Sequence, residues 1–374
     1  MATGILEHNP PKSETAAAHW WRILTAEWLI FALIMLVAIF FRFYQITAIP
    51  AEFNFDEWAD SFDALDMIQH GPKIYSPMNN GREMLFAFLV SLGFRLVGPQ
   101  DVVLRLIAAA AGTLAIAAGY LLTREMFRPL APARARWIAA LTSLGMAVSF
   151  WELLHIRMGR RHTLLPLLLS LTFYFLWRGF NTGRRWWFVL SGAVLGLSLY
   201  TYPSARFAPV VIVFFFAVQA AVQWRQKPPS LLRRYWQEFA LLVLASVVVF
   251  APLGYYFLVV APEQFFYRVN QISVFNTDST AEQPPAASLG QSVAGNLLGL
   301  VWRGEEDSLY NIPGRPMFGP LMFAAFVLGV GVSLARFRRP PYLFVLVWFV
   351  VMMLPAFFVT DRIPAFKRAI GIIP

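Results

Sequence analysis

Long apolar runs separated by short polar stretches set the pattern of this chain. They fall at residues 28–44, 102–122, 137–154, 163–177, 186–202, 207–224, 239–260, 316–335 and 342–360. A hydrocarbon core about 30 Å thick needs roughly 20 apolar residues per helix. Most of the nine runs meet that length; residues 163–177 must borrow from their flanks, tilt, or lie partly buried in protein. A further run, residues 84–97, is interrupted by Gly93 and Arg95. It is too short to cross and reads as interfacial or re-entrant. The pattern therefore predicts an all-α polytopic membrane protein with about nine transmembrane helices.

Composition supports that class. Hydrophobic residues make up 58% of the 374 positions and charged residues 14%, against about 45–50% and about 25% in soluble domains. This excludes a cytosolic enzyme and a disordered chain. The absence of cysteine excludes a disulfide-stapled module, thiolate metal sites and a cysteine nucleophile. The net charge of +10 sits in short islands between apolar runs, not on one face, so no nucleic-acid partner is implied.

Those islands orient the chain. Residues 1–27, 124–136, 178–185, 223–238 and 336–341 hold 16 of the 31 Lys/Arg with five of the 21 Asp/Glu, leaving 15 basic against 16 acidic residues elsewhere. Short basic loops stay in the cytoplasm. Counting residues 84–97 as a span would scatter the islands over both sides. The reading is a multi-pass plasma-membrane protein with a cytoplasmic N-terminal segment (1–27), a retained first helix and two long outward connections at 45–101 and 261–315. All 374 residues form a single domain. The apolar stretch from Arg368 to Pro374 looks like the start of another segment, so the chain is expected to continue beyond it.

The first outward connection carries the densest chemistry. Trp58, Phe62, Leu65 and Ile68 share one helical face, while Asp56, Asp60 and Asp63 lie opposite, as in a helix lying on the membrane surface. Asn54 and Glu57 have capping-box spacing. Glu57 thus reads as a cap, and Asp60, Asp63 and Asp66 as a solvated face. Asp56 is either a second acid at the helix N-terminus or a carboxylate held for chemistry at the membrane boundary. Arg82-Glu83 follow a Pro/Asn/Gly turn and open the short apolar run, as an interfacial anchor or as part of a site.

Arg157, Arg160 and Arg161, with His155 and His162, put basic charge on the side otherwise poor in it. They could hold a phosphate headgroup or attract membrane lipid. Arg206 stands among outward aromatics; Arg105 and Arg268 are weaker candidates. Nucleotide-binding and HExxH motifs are absent. His155 and His162 with Glu83 or Asp56 give a weak metal set, so a divalent metal is left open.

An Asp-Glu pair beyond the first helix, Gly81-Arg82-Glu83 before a short apolar dip, and Leu104-Arg105-Leu106 opening the next span resemble the type C glycosyltransferases. The branch is that of dolichyl-phosphate-mannose protein mannosyltransferases and lipid A aminoarabinose transferases. The 178–185 loop, Leu199-Tyr200-Thr201-Tyr202-Pro203 and Asn311-Ile312-Pro313-Gly314-Arg315-Pro316 look like bacterial members. The resemblance implies transfer of a sugar from a polyprenyl-phosphate donor to a protein, lipid or glycan acceptor on the outer face. It makes Asp56 of the Asp56-Glu57 pair the base and Glu83 the acid before the dip. Met84 stands where aminoarabinose transferases have Lys, and Trp58-Ala59 follow the pair where they have Arg nearby. Arg157, Arg160, Arg161, Arg206, Arg82 and Arg105 are the alternative phosphate ligands. The rival class, a transporter or flippase, would place ionisable residues mid-span. Here charge collects at span ends and in outer loops.

Overall fold

The structure, a computed structural model, describes residues 12–222, 231–273, 285–359 and 362–374. Each of the nine apolar runs folds wholly or mainly as helix, but the lengths differ from the expectation. Among the described residues six helical segments are long and apolar enough to cross a membrane: Ala26–Phe43, Asp101–Phe127, Arg161–Thr182, Pro203–Val222, Trp236–Val260 and Pro340–Phe357. A bent pair, Pro132–Val148 with Phe150–Arg157, makes a seventh if counted as one span.

The chain opens with α1 (Lys12–Phe43), then a surface helix α2 (Phe55–His70), a two-residue hairpin of β1 (Tyr75–Ser76) and β2 (Arg82–Glu83), and α3 (Leu85–Val97). Asn79, Asn80 and Gly81 all take positive φ, the left-handed turn that closes this hairpin. At 13 residues α3 is too short to span. It buries Phe86, Val90 and Phe94 with Ala64 of α2 and with Val103, Leu104 and Ala108 of the next helix.

That helix, α4 (Asp101–Phe127), lies at the centre. It packs on α5 (Pro132–Val148), α6 (Phe150–Arg157) and α7 (Leu164–Thr182). The run expected as one span at 137–154 is broken between α5 and α6 by 55°. Its freed polar groups have partners: Arg42 of α1 donates to the Met146 and Ala147 carbonyls at 3.2 Å each, and Ser149 Oγ accepts from Glu152 N at 3.4 Å. Arg42 also pairs with Glu152 at 2.9 Å, both fully buried.

The chain continues through α8 (Arg185–Ser198), α9 (Ala208–Val222), α10 (Leu231–Arg234), α11 (Trp236–Tyr255), α12 (Glu263–Ile272), α13 (Pro285–Gly299), α14 (Pro320–Ala335) and α15 (Pro340–Phe357). With 14 and 16 residues, α8 and α14 fall short of a full span. Phe366–Ile372 forms a 3₁₀ turn packed on α15 and α7.

Described residues of four of the five basic islands meet at one end of the bundle. There Arg124 pairs with Glu27, Arg178 with Glu125 at 2.9 Å, and Arg185 with Glu238 at 3.2 Å. The α2 and hairpin elements occupy the other end, with the α6–α7 junction and the loop before α14.

Candidate active site

Local rules place the first carboxylate. Asn54 caps α2: its side chain accepts from the Asp56 and Glu57 amides at 3.0 and 3.2 Å, and Glu57 Oε2 accepts from Asn54 N at 3.0 Å. This completes the capping box read from the sequence. Glu57 is itself fully buried, and its other oxygen accepts from Arg105 Nε and from Gly159 N, both at 3.1 Å. A side chain at Gly159 would press on Leu104 and on the Arg105 amide, so the α6–α7 junction can approach α4 this closely only without one. Glu57 therefore fastens three segments together and is turned away from the cavity.

Asp56, one residue earlier, faces that cavity. Its Oδ2 accepts from Lys367 Nζ at 2.8 Å and lies 3.7 Å from Arg160 Nη1, and its Oδ1 accepts from Asn79 at 3.4 Å. Burial by itself would raise this carboxyl; Lys367, then Arg160 and Arg161, hold it well below the usual carboxylate range. The cavity encloses about 440 Å³. The connection between α1 and α4 contributes Asp56, Asp60, Asn79 and Arg82; the α6–α7 junction contributes Arg160, Arg161 and His162. Tyr202 and Ser204 line it before α9, Glu305 and Tyr310 come from the second long connection, and Arg362 and Lys367 from the last turn.

Arginines gathered in the sequence separate into two groups in space. Arg160 is buried, and none of its nitrogens has a hydrogen-bond partner among the described residues; its guanidinium stands 4.9 Å from the Tyr310 ring. Arg161 lines the cavity, pairs with Glu83 at 3.0 Å and stands 5.6 Å from the Tyr202 ring. Arg82 lines it too, bonded to Asp60 at 3.0 Å and paired with Asp63. Arg206 approaches from behind, donating to the Phe265 carbonyl at 2.6 Å and to Glu83 at 3.3 Å. Glu83 is thus a buried strut between Arg161 and Arg206.

Arg157 and Arg105 lie off the cavity. Arg157 donates to the Phe41, Tyr44 and Ile49 carbonyls at 2.7–2.9 Å, closing the end of α1. Arg105 donates to the Pro50 and Glu52 carbonyls as well as to Glu57. The side chain of Arg268 lies outside the described residues.

The α2 acids depart from the expected solvated face. Trp58 and Phe62 are exposed, in keeping with a lipid-facing side, but Asp60 and Asp63 are buried, drawn inward by Arg82. Desolvation pushes Asp60 up to about 6 despite that partner. Among the described residues no three His, Asp or Glu side chains gather as a metal site. His155 and His162 meet edge to face at 5.2 Å, while Glu83 is engaged by its arginines.

Sequence reading missed Lys367, Tyr310, Glu305 and Arg362. The Tyr310 ring lies 4.9, 4.4 and 5.1 Å from the cations of Arg160, Arg362 and Lys367. Asn311 holds this loop by donating to the Glu305 and Arg315 carbonyls at 3.0 and 2.6 Å, a role its Asn-x-Pro-Gly turn chemistry could have suggested. Glu305 is pushed up to about 7 by burial, with Arg362 opposing.

Comparison with known proteins agrees with this architecture. Residues 82–257 match the family model described as dolichyl-phosphate-mannose-protein mannosyltransferase. No curated protein matches the chain in sequence. In fold, it resembles ArnT from Cupriavidus metallidurans bound to undecaprenyl phosphate, with TM-score 0.62 and 15% identity over 92% of this chain and 57% of that one. The apo state of the same protein gives TM-score 0.62 and 18% identity over 96% and 59%. The Archaeoglobus fulgidus oligosaccharyltransferase gives TM-score 0.61 and 16% identity over 93% and 49%. The chain spans about half to three fifths of the length of these structures. The resemblance to type C glycosyltransferases is borne out in the fold, and residues 82–257 are similar to the mannosyltransferase family model.

Proposed function

We propose that this chain, built on the type C glycosyltransferase fold, moves a sugar from a polyprenyl-phosphate carrier to an acceptor hydroxyl at the outer face of the plasma membrane. The observation that carries this is the Asp56 carboxylate set between Lys367 and Arg160, whose guanidinium makes no hydrogen bond among the described residues, at the end of the bundle away from the Arg124–Glu27 and Arg178–Glu125 pairs.

The reaction has two electrostatic needs. A base must take the acceptor proton, and cations must receive the charge that collects on the departing phosphate. In a single displacement, Asp56 takes the hydroxyl proton as the acceptor oxygen bonds to the anomeric carbon. The bond from that carbon to the phosphate oxygen breaks, and its electron pair leaves with the polyprenyl phosphate. Attack opposite the leaving group inverts the anomeric centre. Arg160 and Lys367 face the phosphate, with Arg161 beside them.

A carboxylate this strongly ion-paired is a weak base. The donor phosphate resolves the difficulty, because it competes for the same cations. As Lys367 and Arg160 turn toward phosphate, Asp56 regains basicity when the acceptor needs it. Undecaprenyl phosphate in the similar ArnT structure supports a lipid phosphate as the ligand of this fold.

The test uses full-length protein in nanodiscs with farnesyl phosphate as probe and a polyprenyl-phosphate sugar as donor. Asp56→Asn is expected to abolish transfer while farnesyl phosphate still binds. Full transfer by that variant would remove Asp56 from the mechanism.

A further inference from the structure

The fifth basic island, residues 336–341, lies between α14 and α15 and holds Arg336, Arg338 and Arg339 without an acid. Tertiary packing brings it against a second one. Phe127, at the end of α4, meets Tyr342, in the first turn of α15, edge to face with ring centroids 5.3 Å apart. Arg128 follows the first ring, and Arg336 donates to the hydroxyl of the second at 3.1 Å. Two turns far apart in sequence thus set arginines on both sides of one aromatic contact.

Charge on this patch is not matched within the protein. All four arginines are exposed. Among the described residues Arg336, Arg338 and Arg339 form no ion pair. Arg128 reaches Glu125 only at 3.5 Å, and that carboxylate is already taken by Arg178 at 2.9 Å. Elsewhere at this end of the bundle Arg124, Arg178 and Arg185 each have a glutamate. The negative end of the α14 dipole favours a nearby cation but fades within a turn, so it does not account for the Arg128 side.

Apolar side chains complete the surface. Leu130 and Phe337 stand exposed in the same two turns, and the Arg338 guanidinium lies 5.9 Å from the Phe337 ring. Guanidinium pairs with phosphate through two parallel hydrogen bonds, and arginine clusters at the ends of membrane helices attract anionic headgroups. Exposed apolar residues at the same level suit the start of acyl chains. Division of the arginines over two turns suits two phosphates, one facing Arg128 and the other Arg336, Arg338 and Arg339.

We infer that the α4–α5 and α14–α15 turns together bind a membrane phospholipid whose headgroup carries two phosphates, the diphosphatidylglycerol class. This surface is remote from the Asp56 cavity: Arg105, which pairs with Glu57, opens α4, and Pro355, which lines the cavity, lies near the far end of α15. The inference therefore stands apart from the sugar-transfer reading.

The experiment is native mass spectrometry of the full-length protein titrated with tetraoleoyl cardiolipin, dioleoyl phosphatidylglycerol or dioleoyl phosphatidylcholine. One cardiolipin is expected to be retained at about tenfold lower concentration than phosphatidylglycerol, because its second phosphate binds as part of the same molecule. Phosphatidylcholine is expected not to be retained. Arg128→Gln and Arg338→Gln are each expected to weaken cardiolipin binding about fivefold, and Arg336→Gln, Arg338→Gln and Arg339→Gln combined about a hundredfold. Arg303→Gln makes the same charge change at an exposed arginine in the loop before α14 and is expected to leave binding unchanged. Unfolding temperatures without lipid are expected to match wild type, and the single Arg338→Gln variant carries the test should the triple variant fail to fold. Phosphatidylglycerol held as tightly as cardiolipin, or an equal loss in Arg303→Gln, would reduce the patch to diffuse attraction and overturn the site. Cardiolipin binding that survives in the arginine variants overturns it as well.

Discussion

Lys367 Nζ lies 2.8 Å from Asp56 Oδ2, joining residues 311 positions apart. The pair connects the first turn of a surface helix to the last turn of the described chain. It holds Asp56 ionised and masked, so the group proposed as base is also the group that positions a phosphate-binding cation. Replacing Lys367 by Met removes the leading influence that lowers Asp56, while burial continues to raise it. The acid limb of kcat/KM against pH is therefore expected to move to higher pH in Lys367→Met, with weaker donor binding. An acid limb that stays in place would mean that Lys367 does not tune the base.

Arg160 separates stability from binding. It is buried yet donates no hydrogen bond to any described residue, so its removal leaves no acceptor orphaned. Arg160→Gln is expected to unfold at the wild-type temperature or above it. Its affinity for farnesyl phosphate is expected to fall about ten- to a hundredfold, the span for a lost charged hydrogen bond of about 1.5–3 kcal/mol. Thermal unfolding and lipid titration on the same preparation check both.

Much of this site could be read locally, and the rest could not, for physical reasons. Asn54, Asp56 and Glu57 obey a four-residue rule, so the α2 start was legible. The helical period gave the α2 faces correctly, but nothing local shows what a face packs against. The helical period reads Asp60 and Asp63 as solvated acids because Arg82, which draws them inward, arrives through a hairpin. Arg157 and Arg105 stood out as misplaced positive charge. Their actual partners are backbone carbonyls at the end of α1 and in the connection after it, which no side-chain pattern announces. Lys367 and Tyr310 sit in stretches without periodicity and reach Asp56 and Arg160 only through the tertiary fold. Apolar runs reveal burial more directly than crossing: α8 packs against α7 and α11 over 14 residues, shorter than the helix its apolar run predicts.

Glu57 and Arg105 form a pair whose loss should be structural first. Both are buried, and Glu57 also serves the Asn54 and Gly159 amides. Removing one partner of a buried pair costs about 3–5 kcal/mol because the other charge is left behind. Arg105→Met is expected to lower the unfolding temperature markedly, whereas Arg160→Gln does not. Loss of transfer at unchanged unfolding temperature in Arg105→Met would instead place Arg105 in the chemistry.

Stability should also fall as pH rises toward neutrality. Asp60 is pushed up to about 6 and Glu305 to about 7, in each case by burial first. Both carboxyls then hold protons more tightly in the folded chain than in the unfolded one, where they titrate near 4. Their contribution to stability is complete below about pH 4 and is lost as pH climbs through 6 and 7. The unfolding temperature is therefore expected to drop by a few degrees between pH 5 and pH 8. Glu305→Gln is expected to flatten the upper part of that drop, and Asp60→Asn the lower part, although Asp60→Asn also weakens the hold on Arg82. Asp56 acts in the opposite sense, but its carboxyl stays ionised across this window, so it adds no slope there. An unfolding temperature in Glu305→Gln that tracks wild type over pH 6–8 would show that Glu305 is already ionised in the folded protein, and that the loop carrying Tyr310 is held by a charged pair with Arg362.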